Sequence, residues 1–187
     1  YDFAGVNTTN STHEAFIYRG LFGTPLREFI GAEYGQINDS DDVYAESQIT
    51  FSAQTCVQFE VALQHNRSQL GFVSFYFEGI GSENDADYYN TSVYAYNFTT
   101  NNWHKIDTWT VQDVEHQVYF NITDATSITD FVSDVNGTKF GACTEGSAAG
   151  SPTVFTDYVK IHTTVKSSPS NIASYVGDNQ TPIFTQN

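Results

Sequence analysis

Five consecutive residues, Asn38-Asp39-Ser40-Asp41-Asp42, bring three carboxylates and an amide into one short stretch. Hard oxygen donors clustered in this way are the ligands that Ca2+ takes. Asp41 and Asp42 are therefore the expected ligands of a structural Ca2+. The run lacks the central glycine and closing glutamate of an EF-hand loop, and the alternative reading is a solvated acidic turn capped by its own Asx side chains. The histidines His13, His65, His104, His116 and His162 show no His-x-x-x-His spacing, and none has a cysteine nearby in a zinc pattern. No Gly-x-Ser-x-Gly elbow and no phosphate-binding glycine loop occurs. No local signature singles out a catalytic pair among the 22 acidic residues. The expectation is that the chain is not an enzyme.

Aromatic side chains offer a different chemistry, because flat apolar rings stack on sugars. Trp103, Trp109, Tyr88 and Tyr89 are the candidates for such a platform. The competing role for the tryptophans is core or hairpin packing.

Asn-x-Ser/Thr, the acceptor for N-linked glycans, occurs at Asn7, Asn10, Asn38, Asn66, Asn90, Asn97, Asn121, Asn136 and Asn179, nine of the fourteen asparagines, and never with proline in the middle position. Such density predicts N-linked glycans and an extracellular or cell-surface location. The only two cysteines, Cys56 and Cys143, then fit one disulfide in an oxidising compartment, the alternative being two buried thiols.

The net charge of −15, from 22 acidic against 7 basic residues, argues against nucleic acid and anionic membrane surfaces as partners. Apolar runs such as residues 70–77 are too short to span a bilayer, so no membrane insertion is expected. With no methionine in the chain, Tyr1 is read as following a removed signal peptide or as lying inside a longer chain.

The elements that must hold these residues are strands. Val57, Phe59, Val61 and Leu63 alternate with Gln58, Glu60 and Gln64, and Phe75 with Phe77, Val118-Phe120-Ile122 and Val159-Ile161 repeat the period of two. Glycines and the Asn136-Gly137 pair separate the runs, and no segment sustains a helical period over three turns. The reading is an all-β, antiparallel β-sandwich with extended arms: an N-terminal arm at 1–25, the sandwich at 26–165 and a C-terminal tail at 166–187.

The element order carries a resemblance. An Asp41-Asp42 turn precedes a strand ending in Phe59-Glu60-Val61. A glycine-marked strand, Phe75-Tyr76-Phe77-Glu78-Gly79, follows. Next come Val93-Tyr94-Ala95-Tyr96-Asn97 with a polar turn and Trp103, and the closing strand Phe155-Thr156-Asp157-Tyr158-Val159-Lys160-Ile161. Over residues 26–165 this resembles the galactose-binding-like jelly-roll modules of archaeal and bacterial cell-surface proteins. The resemblance implies a jelly-roll sandwich, and a structural calcium bridging an early loop to the closing strand, with Asp157 as the partner of Asp41 and Asp42.

Two functions stay open. One is a structural subunit of an extracellular filament, sheath or surface layer, joined to copies of itself through its termini, since unpaired sheet edges recruit strands. The apolar stretches Phe16-Ile17-Tyr18 and Ile183-Phe184 are the expected joints. The alternative is a non-catalytic module that binds carbohydrate or mediates adhesion to cell-surface glycans.

Overall fold

Alternating apolar residues fold here because a strand turns successive side chains to opposite faces, and two such faces can close on one another. The computed structural model describes residues 13–49, 52–82, 90–110, 114–146 and 150–166. Ten strands run in chain order: β1 (His13–Arg19), β2 (Pro25–Glu28), β3 (Ala45–Gln48), β4 (Gln54–Ala62), β5 (Leu70–Ser82), β6 (Thr91–Asn97), β7 (Asn102–Trp109), β8 (His116–Ile122), β9 (Gly137–Glu145) and β10 (Thr153–Val165). They form a six-stranded sheet in the order β2-β1-β4-β9-β6-β7 and a four-stranded sheet in the order β3-β10-β5-β8. Every pairing among the described residues is antiparallel. The chain is thus the antiparallel β-sandwich that its periodicity predicts.

The core lies between the sheets. Val57, Phe59 and Val61 of β4, Phe140 and Ala142 of β9, and Val93 and Ala95 of β6 face Val73, Phe75 and Phe77 of β5 and Val159 and Ile161 of β10. Phe140 ties the layers together, with its ring centroid 5.3 Å from Phe59 in its own sheet and 5.4 Å from Phe75 in the other. Each of these buried valine, isoleucine and phenylalanine side chains stabilises the fold by about 1.5–3 kcal/mol.

Two short helices escape the sequence reading. α1 (Gly31–Gln36) and α2 (Ala125–Phe131) each complete fewer than two turns, too few for a helical period to register. α2 starts where the Asp124 carboxylate accepts the Ser127 N–H at 2.8 Å, and it buries Ile128 and Phe131 against the sandwich.

The N-terminal boundary moves. The stretch assigned to an arm contains β1, which pairs with β4 on one side through all seven of its residues and with β2 on the other. Phe16-Ile17-Tyr18 therefore has both its edges occupied within its own sheet, with Ile17 and Tyr18 buried, and is not free to pair with a neighbour. Most of the tail, including Ile183-Phe184, lies outside the described residues, as do residues 1–12. Among the described residues no helix is long and apolar enough to cross a membrane.

Candidate functional site

The outer face of the four-stranded sheet carries an open groove of about 550 Å3. Strand geometry builds it. While Val73, Phe75 and Phe77 of β5 point into the core, the alternate residues Phe72, Ser74 and Tyr76 point out. On β10 the outward set is Tyr158, Lys160 and His162, opposite the inward Val159 and Ile161. β8 adds Tyr119, and Ser40 forms one wall. The register sets Tyr76 between Lys160 on one side and Tyr119 on the other.

Three tyrosines form a continuous surface there. The ring centroids of Tyr76 and Tyr119 are 4.6 Å apart, and Tyr158 meets Tyr76 edge-on at 5.6 Å. Tyr119 is 62% exposed, so its ring is open to a ligand. Tyr76 is held from below: its hydroxyl donates to Glu78 Oε2 at 2.9 Å, and Gln117 Nε2 donates to the other oxygen of that carboxylate. Burial, reinforced by the Glu78 carboxylate, pushes the Tyr76 phenol far above its ordinary pKa, so it stays a neutral donor. Glu78, almost fully buried, thereby fixes the orientation of the groove floor.

Beside the groove, the carboxylates of Asp42, Glu115 and Asp157 bring ligand oxygens within 4.8 Å of one another. Asp157 is the extra residue of a β-bulge, since Thr156 pairs with Gly79 and Tyr158 with Glu78 while Asp157 is skipped. It is completely buried. One of its oxygens accepts the Asp41 N–H at 3.5 Å, and the other, Oδ2, has no hydrogen-bond partner among the described residues. Burial, with Glu78 and Glu115 nearby, holds the Asp157 carboxyl above the usual carboxylate range, against the backbone N–H groups of Asp41 and Asp42. Glu115 is fixed by the Tyr44 hydroxyl, which donates to its Oε1 at 2.7 Å. A buried carboxylate oxygen without a partner, facing two further carboxylates, fits a hard divalent cation such as Ca2+.

The sequence-predicted residues are placed as follows. Asp42 and Asp157 come together, but Asp41 spends its carboxylate on its own turn, accepting the Val43 N–H at 3.1 Å. Glu115, far away in the sequence, takes its place. Cys56 and Cys143 form the disulfide, joining register partners of β4 and β9 on the outer face of the six-stranded sheet, with Cα atoms 4.0 Å apart. Tyr18, Phe22, Tyr94 and Trp103 pack over it.

The two tryptophans of β7 do not share one platform. Trp109 is buried, between Phe77 and a His116 ring stacked at 4.5 Å. Trp103, on the same strand but on the outer face of the six-stranded sheet, is half-buried with the Phe22 ring at 3.8 Å and lines a groove there with Tyr18 and Tyr96. Tyr88 and Tyr89 lie outside the described residues. The groove residues were missed because β5 reads as one apolar run; the available signal was an aromatic residue on both of its faces.

Among the sequons, Asn66 and Asn121 are exposed, while Asn38, Asn90, Asn97 and Asn136 are half-buried. Asn136 Nδ2 donates to Asn66 Oδ1 at 3.0 Å. Asn7, Asn10 and Asn179 lie outside the described residues.

The class defined by this geometry is an antiparallel β-sandwich with an aromatic groove on its smaller sheet. The chain belongs to the family described as "Uncharacterized protein, C-terminal domain", whose model matches residues 14–165. Solved structures similar to it include one described as "CBM4 structure and function", 15% identical with a TM-score of 0.42, covering 82% of this chain and 95% of that one. Another is CpGH89CBM32-6 of Clostridium perfringens, 12% identical with a TM-score of 0.41, covering 88% and 100%. A third is CBM28, a carbohydrate-binding module specific for non-crystalline cellulose, 17% identical with a TM-score of 0.37, covering 63% and 73%. No curated protein matches the chain in sequence.

Proposed function

We propose that this chain is a secreted, non-catalytic glycan-binding domain whose ligand lies in the groove on the four-stranded sheet. The observation that carries the reading is the outward aromatic set Tyr76, Tyr119 and Tyr158, flanked by Ser74, Lys160 and His162. Rings that stay open to solvent supply apolar area at low entropic cost, and the polar neighbours supply donors and acceptors for hydroxyl groups. The groove volume falls within the ~300–1,000 Å3 of small-ligand sites. In this reading the disulfide stabilises the domain outside the cell, and several sequon asparagines, Asn66 and Asn121 first, carry N-linked glycans. Asp42, Glu115 and Asp157 hold a structural Ca2+ that ties the loop after α1 to β10.

Probing immobilised glycans with the labelled protein tests this function. Binding to a defined glycan class, lost in Tyr76→Ala while the variant keeps its native circular dichroism, supports it. Failure of the native protein to bind any glycan overturns it.

A further inference from the structure

The chain carries a net charge of −15, yet the outer face of β10 presents Lys160 and His162 two residues apart on the same side of the strand, inside the groove. This is an unusual use of a scarce resource, because the chain has only seven Lys and Arg residues. Most of the others are engaged. Arg27 pairs with Glu33, Arg67 with Asp134 and Lys139 with Glu60. Lys166 donates to the Ser68 carbonyl, and Lys105 lies over the Tyr94 ring. Lys160, in contrast, has no ion pair among the described residues. It is exposed, and its register partner across the groove floor is Tyr76. His162 is also exposed, and it pairs in register with Ser74 while its ring touches Phe72.

The charge of the groove thus changes along β10. Level with Tyr158, the Glu78 carboxylate is already held by the Tyr76 hydroxyl and Gln117. Beside Tyr76 stands the Lys160 ammonium, without an ion pair among the described residues, and beyond it come the His162 imidazole and the Ser74 hydroxyl. A neutral saccharide needs only the rings and hydrogen-bonding groups. A polyanion approaching so acidic a protein meets general repulsion, and a site for one requires a local cation to reverse it.

We infer, resting on the glycan-binding reading, that the ligand is an acidic saccharide built of uronic acid rings. The tyrosines stack its pyranose faces, and Lys160, with His162 and Ser74 beside it, receives a ring carboxylate. The Lys160 ammonium donates a charge-assisted hydrogen bond, the stronger class of such contacts.

Calorimetric titration of the intact protein with oligogalacturonate, and separately with cello-oligosaccharide of equal length, both at the same fixed calcium concentration, tests the inference. The expected result is binding of the uronate at least about tenfold tighter than the neutral chain. That advantage shrinks on raising salt from about 50 to about 500 mM, as screening requires. Lys160→Gln removes the advantage and leaves the melting temperature unchanged. If the neutral oligomer binds as well as the uronate, or Lys160→Gln leaves uronate affinity intact, the acidic-ligand inference is wrong while glycan binding stands. If neither oligomer binds and no glycan on the immobilised panel does, both fall.

Discussion

Asp157 and Tyr158 are successive residues of β10 that serve two different places: the bulge buries the Asp157 carboxylate against Asp42 and Glu115, and the next residue turns its ring into the groove. The loop carrying Asp42 also supplies the Ser40 wall of that groove. The carboxylate cluster therefore sits where a bound cation would brace the groove as well as the sandwich.

Calcium is accordingly expected to stabilise the protein. A ligand that binds only the native state contributes about 2.7 kcal/mol at a hundredfold excess over its Kd, which for a chain of this size raises Tm by about 5–10 °C. Differential scanning calorimetry with calcium and with chelator measures it. Asp157→Asn keeps the shape, removes the ligand charge and should abolish the calcium-dependent shift, and Glu115→Gln should reduce it. An identical Tm with calcium and with chelator in the native protein would contradict the site.

Removing the disulfide should be costly, because it closes a loop between residues 87 apart in sequence. The chain-entropy model gives about 4–5 kcal/mol for a loop of that length. The double variant Cys56→Ala/Cys143→Ala should unfold at markedly lower urea than the native protein. Intact mass before and after reduction should differ by two hydrogens. Alkylation of both thiols without reductant would refute the bond.

Gly81 marks a place where the two sheets come very close. A Cβ there would overlap the Thr91 side chain, whose Oγ1 is hydrogen-bonded to Thr144 Oγ1 at 3.1 Å. Gly81→Ala should destabilise by about 1–3 kcal/mol, the usual cost of overpacking. Gly71→Ala, whose Cβ finds its nearest neighbour in Lys166 at an ordinary 3.5 Å, should be tolerated and serves as the control. Equal denaturation midpoints for the two variants would contradict this packing.

The two-sheet core was legible in the sequence because buried strands alternate visibly, and Val57-Phe59-Val61 is buried as its spacing requires. β1 was harder to see: an asparagine- and threonine-rich stretch precedes it, and composition there resembles an arm. The cation cluster was half legible. Asp42 stands in an acidic run, but Glu115 reaches the site only through the pairing of β8 with β5, which local spacing does not encode. Trp109 misled because ring size marks burial as readily as binding. Which face an aromatic occupies depends on strand parity, and parity is what separates Tyr76 from its neighbour Phe77.

Glycan affinity in paired variants of the two sheets tests the central claim most directly. Tyr119→Ala removes a ring that is 62% exposed on the groove, and Trp103→Ala removes one from the opposite sheet. With the tightest-binding oligosaccharide of the panel as probe, and folding of each variant verified by its own melting transition, calorimetry should show Tyr119→Ala weakened by about tenfold, or ~1.4 kcal/mol, and Trp103→Ala unchanged. Unchanged affinity in Tyr119→Ala, or a loss confined to Trp103→Ala, would place the ligand elsewhere and contradict the account.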